Sequence, residues 1–226
     1  MSRYTKSPLA RFLIVLAFIV LLTLFGPEEK SLGSNVRIVY LHGAWVMTAE
    51  VTFLAAALTG LLALAGVVAP PLRRWQPALQ AWSAALGRTG IVFWVTYLPL
   101  SLWAMQANWN GLFLAEPRFR LALTFAVVGV LLQIGLWLLS LPRLTSAGNL
   151  LFFLALRIAF SRAQDVMHPP PSPIFKSGLW NIIAFFVALN LLTWVAAWFL
   201  TRWWRGTADY GRQTADGGLR TRDRGR

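Results

Sequence analysis

The chain holds two histidines, His42 and His168, and no cysteine. These imidazoles are its only strong nitrogen ligands for a transition metal, and without thiols it can form no disulfide, thiolate site or thioether attachment. His42 stands in VRIVYLHGAW, residues 36–45, at the mouth of a long apolar run, and His168 stands in VMHPPPSP, residues 166–173, inside a proline-rich loop. An imidazole at the edge of an apolar helix either donates to a carbonyl or lipid headgroup, or ligates a metal. The scarcity of the type, with both copies falling at the outer face on the topology below, weighs toward ligation at His42 and His168. Glu50, eight residues after His42, stands about 12 Å deeper along a helix. It is too far to orient the imidazole and open to two readings, a partner for a basic side chain or a buried proton acceptor. Gln133, Asn181 and Asn190 are the polar residues expected to bond between helices.

The elements that must position these residues follow from composition. Of 226 residues, 57% are hydrophobic and 13% charged, and the mean hydropathy is +0.58. Such values belong to membrane chains. Apolar runs at about residues 10–25, 39–69, 89–105, 119–141, 144–160 and 179–201 approach the roughly 20 residues that cross the hydrocarbon core. The expected fold is an all-α, polytopic membrane helix bundle with about six transmembrane helices. It divides into a six-span domain, residues 1–201, and a basic cytoplasmic tail, residues 202–226, expected to be disordered. The second run is long enough to protrude at its start. Between the second and third runs, LRRWQPALQAWSAALGR, residues 72–88, places Trp75, Leu79, Trp82 and Leu86 at helical spacing. This predicts a surface helix in the interface, broken at Pro77.

The net charge of +13 and pI near 11.6 do not indicate nucleic acid, because the basic residues sit in loops and the tail. Six spans place both termini on one side with Arg3, Lys6, Arg11, Arg73, Arg74, Arg88, Arg143 and the tail arginines. The positive-inside rule makes that side cytoplasmic, in the cell inner (plasma) membrane, with anionic lipid as partner of the tail. His42, the connector around Trp109, and His168 then share the outer face.

Three motifs carry a resemblance. In VRIVYLHGAW, Arg37, Ile38, Tyr40 and His42 follow an R-I-x-Y-x-H-V-P pattern, with Gly43-Ala44 in place of Val-Pro. In WNGLFLAEPR, residues 109–118, Trp109, Glu116 and Arg118 fall on a W-G-x-W-W-x-W-D-x-R pattern without a gap, while Leu112, Phe113 and Ala115 replace tryptophans. His168 follows the fifth run before prolines. On these residues the chain resembles the haem-handling membrane proteins of cytochrome c assembly, of the cytochrome c maturation protein C (haem exporter protein C) type.

The resemblance implies a transiently bound, b-type haem at the outer face. His42 and His168 would be the iron ligands, Trp109, Leu112 and Phe113 an apolar shelf against the ring, and Arg118 a partner for the propionates, with Arg37, Arg157 and Lys176 as further cations. Arg157 is also open to a plainer reading, snorkelling to the headgroups. The implied function is non-enzymatic: haem binding and handover during c-type cytochrome biogenesis, with other assembly membrane proteins, an ABC exporter and a haem chaperone as partners. The alternative is a haem-free structural or transport subunit that keeps this architecture. No nucleophile with a base recommends an enzyme.

Overall fold

A computed structural model describes residues 7–164 and 173–223 of the chain, with side chains through residue 207. The elements are α1 (Pro8–Leu24), α2 (Val36–Ala65), α3 (Pro70–Arg73), α4 (Gln76–Trp109), α5 (Pro117–Leu139), α6 (Pro142–Ser161), α7 (Pro173–Lys176) and α8 (Trp180–Asp223). Proline marks the starts: α1, α3, α4, α5 and α6 each carry one in the first turn, where the missing N–H has no intrahelical partner to lose. α2, α4, α5, α6 and the Trp180–Thr207 part of α8 are long and apolar enough to cross a membrane. α1, with 17 residues, is about 26 Å long, roughly a turn short of the hydrocarbon thickness, and runs antiparallel along α8. The protein is an all-α polytopic membrane helix bundle. The expected boundary at residues 201 and 202 falls inside α8.

α2 and α4 form the spine and pack along their length. Small residues set that approach: a Cβ on Gly90 would stand 2.5 Å from the Phe53 ring, and one on Gly60 2.7 Å from the Ser146 carbonyl oxygen of α6. Here the interfacial-helix expectation is corrected. Residues 76–88 do not form a separate surface helix, and Pro77 breaks nothing. It opens α4, which continues to Trp109. Ser83, Ala85 and Gly87 are buried, so this stretch packs into the bundle by its small face, as membrane helices do. Pro99 stands inside α4 at an exposed position, an interior proline of the kind membrane helices accommodate.

The interior is aromatic and hydroxyl-lined. Phe53, Trp94, Tyr97, Phe125, Phe152 and Phe160 form a ring-to-ring column. Thr48 donates to Thr193 at 2.7 Å and Thr89 lies 2.8 Å from Thr201, joining α2 and α4 to α8. Gln133 meets Asn149 at 2.8 Å, and Asn149 donates to the Ser83 carbonyl at 2.8 Å, so Gln133 bonds between helices as expected. Asn190 instead donates to Phe186 of its own helix at 2.7 Å.

Candidate functional site

One end of the bundle is where α1 finishes, α2 starts, α4 finishes and α8 starts. The turn from α1 to α2 folds on Glu29, whose carboxylate accepts from the Ser31 hydroxyl, from Ser31 N at 2.8 Å and from Leu32 N at 3.0 Å. The Ser31 hydroxyl and then its amide hold this carboxyl below its usual value of 4.5. Gly33 closes the turn at φ 55°, a conformation glycine enters without steric cost. Glu28 pairs with Arg37 at 3.1 Å, and Arg37 Nε donates to the Gly26 carbonyl at 2.9 Å.

The start of α2 is tied to the end of α4 and to α8. Asn35 donates to the Ala107 carbonyl at 2.9 Å, Asn108 reaches the Asn35 carbonyl at 3.4 Å, and Tyr40 packs on Phe185 with centroids 5.5 Å apart. These contacts tie the start of VRIVYLHGAW to the end of α4, where the connector WNGLFLAEPR begins.

His42 is half-buried on α2, its ring centroid 5.6 Å from that of the buried Tyr97 on α4. The next two residues explain a departure from the resembled pattern. A Cβ on Gly43 would meet the Phe186 ring at 3.1 Å, and Ala44 is wholly buried. A valine and a proline there would collide with α8 and interrupt α2, so Gly43-Ala44 lets an unbroken helix carry His42 against the bundle.

The connector is ordered by its ends. Asn110 terminates α4 in the left-handed region at φ 50°, and Glu116 caps α5 by accepting from Phe119 N at 2.6 Å. Trp109 and Phe113 are 39% and 42% exposed, and Leu112 is also exposed. The Trp109 and Phe113 rings are 6.4 Å apart at 81°, so in this arrangement only one of them can lie flat on a planar ligand. Arg118 is half-buried at the start of α5, within electrostatic reach of Glu50.

Glu50, midway along α2, takes the first of its two readings. Arg157 of α6 pairs with it at 3.1 Å, the Arg157 and Glu50 side chains 51% and 34% exposed. Arg37 and Arg157 are thus each engaged with a carboxylate. His168 lies outside the described residues. Beyond it, Ile174 is buried and Phe175 packs on Phe186 at 5.5 Å, beside Gly43.

Sequence reading did not single out Tyr97, Asn35 or Asn108. Tyr97 sits in an apolar run with no local signature, and an asparagine's tie to a carbonyl some seventy residues away leaves no periodic trace. It also missed a cluster at the opposite end. There Arg205 lies 4.4 Å over Trp82, Arg88 5.7 Å over Trp204, Arg202 5.8 Å over Trp198 and Arg11 5.8 Å over Phe199.

Fold and site together define a multi-helix membrane protein with a half-buried imidazole and an aromatic connector at one end. The chain matches no protein-family model, no curated protein and no solved structure.

Proposed function

We propose that the chain binds haem and hands it on at one face of the cell inner membrane during c-type cytochrome biogenesis, as a non-enzymatic component. The observation that carries this reading is the docking of Asn35 on Ala107 and Asn108, since it ties the start of the His42 helix to the end of α4, where the Trp109–Arg118 connector begins. The residues fit in part. His42 offers an imidazole at the edge of the bundle, Arg118 a cation for a propionate, and Trp109 or Phe113 an apolar face. His168 would be the second ligand. Haem would supply an iron that imidazoles hold reversibly, as handover requires. On the positive-inside argument the termini are cytoplasmic and this end faces outward. Other assembly membrane proteins, an ABC exporter and a haem chaperone are the partners the resemblance implies.

A second reading, a haem-free structural or transport subunit of a membrane complex, draws support from the crossed Trp109 and Phe113 rings and the carboxylates already holding Arg37 and Arg157. An absorption spectrum of detergent-purified protein supplied with haem separates the two. The first reading expects a low-spin, bis-imidazole reduced spectrum that His42→Ala or His168→Ala abolishes. Protein that stays colourless sinks it in favour of the second.

A further inference from the structure

Among the residues whose side chains are described, the carboxylates are Glu28, Glu29, Glu50 and Glu116, and all belong to α2, to the turn before it, or to the connector before α5. None of these four lies at the end where α1 begins, which gathers Arg11, Arg88, Arg202 and Arg205 over aromatic rings; Asp209, Asp216 and Asp223 follow further along α8. Trp82 and Trp198 stack there at 5.2 Å and 19°. An open cleft of about 330 Å³ lies between the start of α1 and α8, lined by Pro8, Arg202, Trp203, Gly206 and Thr207.

A guanidinium stacked by its face on an indole still presents its N–H donors in the plane of the fork, the geometry that meets two phosphate oxygens at once. No acidic partner engages Arg88, Arg202 or Arg205 among the described residues, and Arg205 Nε is buried without a hydrogen-bond partner. The setting supplies the other half of a ligand. Along α1 the exposed Leu13, Ile14 and Phe18 lead from the cleft into the apolar face of the bundle. Cations over indoles at the head of an apolar face suit a molecule with an anionic phosphate and acyl chains.

We propose that this arginine–tryptophan cluster is a binding site for the headgroup of an anionic phospholipid, its phosphate held by Arg202 and Arg205 with Arg88 beside them and its chains lying along α1 and α8. The site is at the opposite end from His42, so a colourless protein would leave it standing.

The test titrates the full chain in non-ionic detergent with phosphatidylglycerol, phosphatidylcholine or inorganic phosphate and follows the thermal unfolding midpoint. Phosphatidylglycerol should raise the midpoint saturably while the other two do not. Arg202 is exposed and lies over the Trp198 ring without an ion pair among the described residues, so Arg202→Gln should fold normally and need about fivefold more phosphatidylglycerol for half the effect. Arg88→Gln/Arg202→Gln/Arg205→Gln should need on the order of a hundredfold more. The proposal is overturned if phosphatidylcholine or phosphate reproduces the shift, or if Arg202→Gln titrates like the parent chain.

Discussion

The two ends of the bundle handle charge in opposite ways. At the His42 end, cations are matched within the chain: Arg37 by Glu28 and Arg157 by Glu50, each at 3.1 Å, while Glu29 and Glu116 fold a turn and cap a helix. At the other end Arg88, Arg202 and Arg205 rest on indoles, and no ion pair engages them among the described side chains. Cations matched by carboxylates of the same chain need no counter-ion from outside. Cations resting on indoles keep their N–H donors for an outside anion, which the proposed lipid would supply.

The largest effect expected from this difference comes from stranding a charge. Glu50→Gln leaves Arg157 without its carboxylate midway along α2, and unfolding in bicelles should show a loss of about 2 to 3 kcal/mol. Glu50→Gln/Arg157→Gln should recover most of it. Arg88→Gln strands no carboxylate and should cost no more than about 1 kcal/mol, the worth of its contact with Trp204. Equal losses in Glu50→Gln and Arg88→Gln would erase the contrast between the ends.

A smaller effect tests how the His42 end is assembled. Asn35→Ala removes the donor to Ala107 and should lower stability by about 1 kcal/mol in the same assay, with amide exchange accelerating through residues 107–113. Unchanged exchange there would mean that the connector is held by other contacts.

The smallest is a pH effect confined to the turn before α2. The Glu29 carboxyl is held below 4.5 by the Ser31 hydroxyl and amide. A depressed carboxyl contributes stability that is present above the unfolded value and lost as pH falls through the folded one. The Ser31 and Leu32 amide resonances should therefore titrate only below 4.5 and stay flat in Glu29→Gln. Titration at or above that value would show the turn folding on something else.

Local signals in the sequence carried the helices well. Apolar runs and their lengths placed α2, α5, α6 and the start of α8 within a few residues, because a backbone in lipid must bond to itself and leaves long apolar tracts; the end of α8 was missed, since the helix runs on to Asp223 through polar residues with no apolar signal. The reading of Pro77 as a break failed because proline in a first turn and proline in a helix interior look alike until the helix start is known. Residues 76–88 mixed tryptophan with Ser83 and Gly87, which resembles an interfacial surface. The small residues are a packing face whose partners, Ala56 and Asn149, lie far off in sequence. At the site, span count alone placed the start of α2 and the connector after α4 at the same end of the bundle, as the Asn35 bond to Ala107 has them. The pairing of Glu50 with Arg157 was not, since both choices open to each residue were locally reasonable and a partner 107 positions away decided between them.

Beyond Glu50, the remainder of α2 and all of α4 contain neither carboxylate nor imidazole; the interior there offers threonine, serine and amide groups that do not ionise near neutral pH. A hydrogen ion entering from the His42 side would find no carboxylate or imidazole on those two helices on which to pause before the far surface. That half of the spine offers it no carboxylate or imidazole relay.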